Sequence, residues 1–349
     1  WQDMNTRYQN ISDAMREKIR SGVWGPGQRL PIRSELVTQY NTTVATLQKA
    51  MDELAADGFI ISAGKRGTFV ANEPPNLSTF AVVFQEAAST AWEDTLWTIF
   101  VSQKRRLEKQ FDLKFSLYHL EENNMASEDF LRLTADARFQ RLAGVIFLQC
   151  PKSYMTTPLL AAQLPCVAFT RENLPEINTI WADYGGLLRL AFDWLLGEKC
   201  SRIAAIANLN LPFDYMIGVA RYAARFGLNI PREWQLGLPL DEAHSQWGEN
   251  LIRLLMTGTP DKRPDGLIIV NENLWGLVTD TLQRMNIRIG RDIRLALHAN
   301  LPSTVHSQLG VARFGFDIDA LINGCLIELR RFRKTGNIAH DAMVGVVRE

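Results

Sequence analysis

The chain has 349 residues, enough for two or three compact domains with substantial hydrophobic cores. Its residues are 46% hydrophobic and 22% charged, a composition typical of globular proteins and not of disordered ones. Lys and Arg together number 38, as do Asp and Glu, so the zero net charge argues against a wholly basic protein that coats nucleic acid. A local basic patch remains compatible with this balance. The sequence contains no apolar run of about 18 residues, so we predict no membrane-spanning helix. The first residues lack the pattern of a secretory signal.

Cysteines and histidines give no sign of a metal site. Cys150, Cys166, Cys200 and Cys325 lie far apart, without the spacing of zinc ligands. Three of them, Cys150, Cys166 and Cys325, lie in apolar runs, so we expect reduced core residues of a cytoplasmic protein. The five histidines are scattered singly, and we find no GxSxG, HExxH, Walker A or GxGxxG motif. We therefore predict no catalytic residues, no metal and no cofactor.

Residues 1–72 are predicted to form three helices and a hairpin. Apolar residues recur at helical spacing in the first helix, a second helix covers Arg33–Tyr40, and Thr42 or Thr43 caps a third. Phe59–Ser62 and Thr68–Val70 flank a glycine-bearing tip, which is typical of a hairpin. This order predicts a small α+β winged helix-turn-helix. Its predicted core stripes are Tyr8, Ile11, Met15 and Ile19 in the first helix and Leu47, Ala50, Met51 and Leu54 in the third.

The outer face of the third helix is small and polar, as insertion into a major groove requires. Thr43 and Thr46 lie near its N-terminus, where backbone N–H groups favour phosphate. Gln48 offers a paired donor and acceptor to an adenine edge. The cations of the hairpin tip lie between two glycines, so they are expected to approach a phosphate or a minor groove closely. The predicted DNA-binding residues are Arg33, Thr43, Ala45, Thr46, Gln48, Lys49, Lys65, Arg66, Gly67 and Thr68.

The charge of this region is modest, with nine Lys or Arg against seven Asp or Glu in residues 1–72. Charge alone therefore does not establish DNA binding. A winged helix that binds another protein is the alternative at this point.

Several short sequence motifs of this region resemble those of the GntR family of bacterial transcription regulators. They are Ser21-Gly-Val-Trp-Gly-Pro-Gly-Gln-Arg-Leu-Pro31, Glu35-Leu36, Ala50-Met-Asp-Glu-Leu54, Gly58 and Gly67-Thr-Phe-Val70, and they span nearly all of residues 7–70. The resemblance implies a winged helix that binds operator DNA. Ile32 stands where the family often has Ser, and Ser34, Val44 and Gln48 stand near positions where it often has Arg. The family's usual base contacts are therefore not carried over to this chain.

The remainder is predicted to be an α/β body, residues 80–349, that follows a stiff, polar, proline-bearing linker at residues 73–79. Short apolar runs alternate with amphipathic stretches, which predicts βαβ units and parallel sheets covered on both faces. The predicted strands are Phe80–Phe84, Phe115–His119, Gly144–Leu148, Cys166–Thr170, Ile203–Ala207, Gly266–Val270 and Arg294–His298, and the predicted helices include Asp94–Phe111, Gly185–Leu196 and Leu274–Met285.

Short sequence motifs of the body resemble those of the lac and ribose repressor family, whose effector domain has the fold of periplasmic binding proteins. They follow the family's order and are Ile180-Trp-Ala-Asp-Tyr-Gly185, Leu195-Leu-Gly-Glu-Lys199, Arg202-Ile-Ala-Ala-Ile206, Pro264-Asp-Gly-Leu-Ile-Ile-Val-Asn271 and Ile289-Gly-Arg-Asp-Ile293. The resemblance implies a two-lobed domain that binds an effector between its lobes and dimerises. The sequence departs from the family pattern by Glu272 in place of Asp, by a missing Pro in the last motif, and by the lack of an Arg at residues 208–214. The resemblance therefore does not identify the ligand.

Ligands of such domains lie beyond the carboxyl ends of the strands. A sugar needs flat aromatic faces, which Trp247 and Phe316 supply, and forked polar groups of the Asn and Arg kind for its hydroxyls. In the resembling family, matching positions touch the effector. The predicted ligand-binding residues are Gln85, Glu86, Thr170, Arg171, Asp214, Tyr215, Trp247, Asn271, His298, Asn300 and Phe316.

Together these observations predict a ligand-responsive bacterial transcription regulator, by family analogy a repressor released by a sugar or sugar derivative. We expect a cytoplasmic homodimer that presents two heads to pseudo-palindromic operator DNA. Ligand is expected to shift the population of lobe arrangements and to act on the heads through residues 73–79. The alternatives are a regulator that senses a nucleobase, and an enzyme whose body is aminotransferase-like with a pyridoxal-binding Lys.

Overall fold

The structure is a computed structural model. It describes residues 2–86, 95–121, 123–208, 213–239, 245–303 and 309–349. At residues 2–6, 86, 95, 208 and 213–218 it describes only the course of the backbone. The expected helix start at Asp94 lies outside the described residues.

The N-terminal domain, called the head below (residues 2–72), is a winged helix-turn-helix. Thr43 caps the third helix by accepting a hydrogen bond from the Thr46 N–H, and Gly58, at φ +81°, turns the chain after that helix ends. Its core contains Ile11, Met15 and Ile19 of the first stripe and all of the second, while Tyr8 is only half-buried. The elements are α1 (Gln2–Arg20), α2 (Arg33–Gln39), α3 (Val44–Ala56), β1 (Ile60–Ser62) and β2 (Thr68–Val70), with a 3₁₀ turn at Gly64–Arg66 between the antiparallel strands.

The segment between the head and the body is ordered and partly buried. Residues Pro75–Ser78 form a turn of helix, α4, in which Asn76 and Ser78 are buried. Thr79, the last residue of the expected linker, is already the first residue of a strand. The chain therefore passes from the head into the body without an exposed, extended tether.

The N-terminal lobe of the body, called the N-lobe, is built on a six-stranded parallel sheet. Its strand order is β13-β7-β6-β5-β3-β4, and every neighbouring pair is parallel. The strands are β3 (Thr79–Glu86), β4 (Lys114–Glu121), β5 (Gly144–Phe147), β6 (Cys166–Phe169), β7 (Asn178–Ala182) and β13 (Ala342–Val344). The helices are α5 (Thr95–Phe111), α6 (Glu128–Arg138), α7 (Ser153–Ala161) and α12 (Ile318–Thr335).

The C-terminal lobe, called the C-lobe, repeats this plan. Its strand order is β14-β12-β11-β10-β8-β9, parallel except for the antiparallel edge strand β14. The strands are β8 (Ile203–Asn208), β9 (Gln235–Leu238), β10 (Gly266–Ile269), β11 (Arg294–His298), β12 (Val311–Phe316) and β14 (Val346–Arg348). The helices are α8 (Tyr184–Gly197), α9 (Phe213–Arg225), α10 (Ser245–Leu255) and α11 (Trp275–Arg284).

The chain crosses between the lobes three times. It crosses at Asp183 from β7 to α8, at Asp317 from β12 to α12, and at Gly345 from β13 to β14. Helix α8 packs on β11 and β12 of the C-lobe, and α12 packs on β6 and β7 of the N-lobe. Two sheets joined by three crossings confirm the expected fold class, a winged helix-turn-helix followed by an α/β, two-lobed body of the periplasmic-binding-protein type.

All seven strands expected from apolar runs are present, and every strand end lies within two residues of its predicted position. One expectation about the core is wrong: Cys150 is half-buried, because the chain leaves the sheet after β5, whereas Cys200 is buried. Burial raises the pKa of Cys166 to about 12, so this thiol stays protonated. Among the described residues, no helix is long and apolar enough to cross a bilayer.

Candidate nucleic-acid interface and ligand cleft

Helix α3 turns its apolar stripe inward and leaves a polar face outside. Ala45 and Lys49 are exposed, and Gln48 is half-buried. The Gln48 Nε2 donates to Asp52 Oδ1 at 2.6 Å, which orients the amide of Gln48 along the helix. The Lys49 ammonium lies 5.9 Å from the centre of the Tyr8 ring. The outer face thus has an oriented amide beside a cation, and it lies on a helix, the element that a major groove admits.

The N-terminus of α3 is also exposed. The hydroxyls of Thr43 and Thr46 are 2.9 Å apart, so Thr43 both caps the helix and holds Thr46 in place. Arg33 is exposed at the start of α2. Backbone N–H groups at the start of a helix attract phosphate, and a nearby cation strengthens that attraction.

The tip of the wing exposes Lys65 and Arg66, while Gly67 and Thr68 are half-buried. Gly67 has a φ of +108°, and a Cβ there would lie 2.7 Å from Arg29 Nε. A glycine is therefore needed where the guanidinium of Arg29 passes under the tip. Sequence reasoning did not assign Arg29 to the site, although it lies in the motif Ser21–Pro31. Arg29 follows the turn at Gly25-Pro26-Gly27 and pairs with Phe69 of the wing. Arg29 adds a third exposed cation to this surface.

In the body, the carboxyl ends of the strands meet along the crossings between the lobes. Asp183 accepts a hydrogen bond from Gly186 N–H at 2.8 Å, and Asp317 accepts from Asp319 and Ala320 at 2.9 and 3.0 Å. These two aspartates thus cap α8 and α12 where the chain changes lobe. A ligand between the lobes would lie beside these helix starts.

Four of the expected ligand residues lie on the C-lobe side of this edge: Asn271, His298, Asn300 and Phe316. The structure adds Glu272, a buried carboxylate that accepts hydrogen bonds from the backbone N–H of Asn300 at 3.0 Å and from its Nδ2 at 2.5 Å. Asn271 Oδ1 accepts from Asn273 N–H at 2.9 Å. One hydrogen bond from each of these two side-chain amides therefore helps to fix the loops after β10 and β11 in place.

An aromatic group surrounds His298 at the end of β11. The His298 ring lies 5.7 Å from the centre of Tyr184 and 5.4 Å from that of Phe316, and these two rings are 5.4 Å apart. Burial lowers the pKa of His298 to about 4, and the backbone of Val270 offsets this only in part. His298 is therefore neutral at physiological pH, and neither ring nitrogen has a hydrogen-bond partner of good geometry within the described residues. Sequence reasoning missed Tyr184, which reaches this group only because the chain crosses lobes one residue earlier.

The N-lobe residues form a separate group. Thr170 Oγ1 accepts from Glu172 N–H at 3.1 Å, which fixes the turn after β6. The guanidinium of Arg171 stacks 5.1 Å from the Trp181 ring centre. Gln85 is half-buried near the end of β3. A cavity of about 350 Å³ is lined by Arg171, Glu172, Asn173, Thr179, Trp181 and His340. Trp181 and His340 are further residues that sequence reasoning missed.

The remaining expected ligand residues stay predictions. Trp247 is 67% exposed on the first turn of α10, the helix that follows β9. The side chains of Glu86, Asp214 and Tyr215 lie outside the part of the chain whose side chains are described. Within the described residues, no three His, Cys, Asp or Glu side chains are grouped as metal ligands.

The fold defines a winged helix-turn-helix domain joined to a body with the fold of periplasmic-binding-protein-like regulators. Residues 7–70 match the family described as "Bacterial regulatory proteins, gntR family". The head is therefore a GntR-type helix-turn-helix domain, as its sequence motifs predict.

Two curated relatives match the head region. The histidine utilization repressor of Klebsiella aerogenes is 37% identical over 75 residues, which are 22% of this chain and 31% of the relative. The probable fructoselysine utilization operon transcriptional repressor of Escherichia coli K12 is 38% identical over 66 residues, 19% of this chain and 27% of the relative. The chain thus spans less than a third of the length of these relatives.

The body is similar in fold to solved LacI-family regulators. A regulatory protein of the LacI family from Chloroflexus aggregans superposes with a TM-score of 0.58 at 17% identity, covering 77% of this chain and 96% of that one. A LacI family transcriptional regulator from Enterococcus faecium, solved with bound ribose, has a TM-score of 0.58 at 13% identity, covering 78% and 97%. At such identities the similarity concerns the fold alone, and it confirms the resemblance stated from the sequence.

Proposed function

We propose that this chain is a ligand-responsive transcription regulator whose head binds operator DNA and whose lobes hold a small metabolite. The observation that supports this most is the exposed outer face of α3, with its oriented Gln48, together with the cations Lys65 and Arg66 at the wing tip. Cations at a glycine-flanked tip suit a phosphate backbone, which favours DNA over a protein partner of the winged helix. The relatives that match this region are described as repressors. We therefore propose repression, relieved by ligand, by a cytoplasmic homodimer on pseudo-palindromic DNA.

The groups at the C-lobe side of the cleft favour an uncharged, polar effector. Half-buried Tyr184 offers an aromatic face, and the buried rings of Phe316 and neutral His298 pack behind it. The half-buried amides of Asn271 and Asn300 add polar groups without charge. The buried carboxylate of Glu272 disfavours an anionic ligand at this place. A sugar or a neutral sugar derivative fits these groups better than a sugar phosphate. A nucleobase would use the same rings and amides, so it is the second candidate.

The proposed mechanism is a shift in the population of lobe arrangements about the three crossings. Ligand favours the arrangement that it binds more tightly, and the shift is limited by its differential affinity for the two states.

An aminotransferase-like body is the alternative from another class of protein. It is disfavoured by the fold, and a lysine–aldehyde absorbance band in purified protein would support it instead.

The wing contact gives the direct test of DNA binding. We expect the double change Lys65→Ala and Arg66→Ala to weaken binding to duplex DNA. It should also reduce the slope of log affinity against log salt by about one to two units, from roughly 0.9 for each phosphate contact. Binding is measured by fluorescence anisotropy with random-sequence duplex DNA at several salt concentrations.

A matched control is the double change Arg288→Ala and Arg291→Ala, two C-lobe residues whose side chains are 65% exposed. It removes the same charge from a surface far along the chain from the head, and we expect an unchanged slope. Equal slopes for the wing variant and the wild type would count against the wing contact.

A further inference from the structure

The head rests on the N-lobe through one shared carboxylate. Asp57 is the residue that caps the C-terminal end of α3, and its side chain is 11% exposed. Arg16 of α1 bonds one of its oxygens at 2.5 Å, and Arg141 of the N-lobe bonds the other at 2.9 Å. Burial disfavours the charged form of Arg141, yet hydrogen bonds to Asp57 and Asp136 raise its pKa overall. Arg141 therefore stays charged and also lies at the negative end of the α3 helix dipole.

An aromatic ring supports this ion pair from the N-lobe side. Phe139 follows the last turn of α6 and is half-buried. The guanidinium carbons of Arg16 and Arg141 lie 5.3 and 5.0 Å from the centre of its ring. A cation from each domain thus stacks on the same ring, so the contact is enclosed on more than one side. We call Arg16, Asp57, Phe139 and Arg141 the latch.

A second contact holds the segment between the domains. Arg333, near the end of α12, donates from Nη2 to the carbonyl of Asn76 at 2.9 Å and to that of Ala143 at 2.6 Å. One guanidinium group thereby joins α4 to the N-lobe. Since Asn76 and Ser78 are buried as well, this segment has little freedom to act as a slack tether.

The docked head keeps its proposed DNA surface open. The latch uses the C-terminal end of α3, whereas Thr43 and Thr46 lie at the opposite end of that helix. The 3₁₀ turn with Lys65 and Arg66 also takes no part in the latch. A docked head is thus compatible with DNA binding, and the latch is not an autoinhibitory contact.

We propose that the latch makes the head and the N-lobe one rigid unit, so that a ligand in the cleft controls DNA binding by moving whole head–N-lobe units. This differs from the expectation that ligand acts on the heads through residues 73–79, because it assigns that role to the latch. It rests on the proposed function, and it assigns the regulation of that function to a particular interface. In a two-fold dimer, the spacing of the two heads then follows the arrangement of the two N-lobes.

The test measures the distance between head and N-lobe by double electron–electron resonance. Spin labels replace Val23 of the head and Leu131 of α6 as cysteines, two side chains that are 62% and 55% exposed, in a Cys150→Ser background. We expect one narrow distance distribution. With Phe139→Ala and Arg141→Ala together, we expect the distribution to broaden severalfold, and Arg141→Gln alone is a milder second variant.

The matched control is Arg138→Ala. Arg138 lies 5.9 Å from the same Phe139 ring and is exposed, and its described contacts are within the N-lobe. We expect its distribution to stay as narrow as that of the wild type. A broad distribution in the wild type, or a narrow one in the latch variant with a normal melting curve, would overturn the proposal.

A second measurement separates the latch from the proposed function. Selection from random duplex DNA is expected to return two half-sites at one fixed spacing for the wild type and at mixed spacings for the latch variant. Equally fixed spacing in the latch variant would overturn the rigid unit. If the wild type selects no DNA at all, the proposed function fails, whereas the distance measurement still decides whether the latch exists.

Discussion

At the scale of single residues, His298 shows how the fold sets a side chain's chemistry. A histidine ordinarily has a pKa of about 6.5, but burial beneath α8 lowers that of His298 to about 4. The rings of Tyr184 and Phe316 pack against it. The neutral ring is therefore the state that the folded protein requires.

This environment predicts a pH-dependent stability. Between pH 6.5 and pH 4 an unfolded chain protonates this histidine while the folded protein does not, so the unfolded state binds more protons and stability falls as the pH is lowered. The loss amounts to roughly 3 kcal/mol over this window, at about 1.4 kcal/mol for each pH unit. We expect His298→Phe to flatten this part of the profile, measured by urea unfolding between pH 4 and pH 8.

Ile268→Val is the control, since it shortens a buried side chain of β10 that does not titrate. It should lower stability by about 1 kcal/mol at every pH and leave the slope unchanged. Parallel profiles for His298→Phe and the wild type would show that His298 is not the titrating group.

The sequence predicts which residues stand at strand ends but not what they bind. The ends of apolar runs place Asn271, His298 and Asn300, whereas Phe316 is expected in a late crossover. The structure puts all four along one edge. Glu272 was noted only as a departure from a family pattern. Its role depends on Asn300, which reaches it from the next strand of the sheet. Contacts of this kind join residues distant in the chain, so no local pattern reveals them.

At the scale of elements, β11 and β12 approach closely at one glycine. A Cβ at Gly315 would lie 1.4 Å from the carbonyl oxygen of Ala299, so no larger residue fits without moving the backbone. This pair directly follows His298 and Phe314, which are neighbours in the ladder. The glycine therefore permits the strand spacing beside the Asp317 crossing.

We expect Gly315→Ala to destabilise the protein by about 3–5 kcal/mol, because the backbone of β11 or β12 must shift. The comparison is Gly276→Ala in α11, where a Cβ would meet nothing within 4 Å. That change should be neutral or stabilise by up to about 1 kcal/mol, since alanine favours helix. Chemical denaturation of both variants is the measurement, and equal stabilities would contradict the packing described for Gly315.

Elements differ in how far the sequence predicts them. Continuous apolar runs identify central strands such as β5, β8 and β10, which are buried on both faces. Strands β7, β9, β12, β13 and β14 were not predicted. Strand β12 begins with alternating half-buried and buried residues and ends with three buried ones, and β14 is an edge strand of three residues that are half-buried or exposed. Partial exposure admits polar residues, so β9, β14 and the start of β12 lack a continuous apolar run. Strand β7 is mostly buried, and its run is broken by the polar residues Asn178 and Thr179.

At the scale of the whole molecule, the proposed function places a small effector between the two lobes. A thermal-shift screen against sugars, sugar phosphates, polyols and nucleobases is expected to identify an uncharged effector, because a ligand of the native state raises the melting temperature. With that effector, Trp247→Ala should abolish the stabilisation and leave DNA affinity unchanged.

Leu254→Ala is the matched control for Trp247. Leu254 is 71% exposed on the same helix, α10, at its other end. We expect full ligand stabilisation in this variant. If the ligand still stabilises the Trp247→Ala variant, Trp247 does not contact the ligand. A screen in which only sugar phosphates raise the melting temperature would contradict the argument from Glu272.

The whole-molecule arrangement was the most predictable level from the sequence. Alternating apolar runs and amphipathic stretches predict two α/β lobes, and the helix–hairpin order of the first 72 residues predicts the head. The docking of the head was not predicted, because Asp57, Phe139 and Arg141 look like ordinary helix-end residues in the sequence. Only the meeting of the ends of α3 and α6 brings them together.

The short strands β13 and β14 bear on how this chain folds as it is synthesised. Residues 342–344 complete the edge of one sheet and residues 346–348 complete the edge of the other. The head needs only the first 72 residues and is available for folding long before either sheet has its last strand. A nascent chain would thus display a finished winged helix ahead of two open-edged lobes, which until then offer unpaired backbone groups to neighbouring chains or to chaperones.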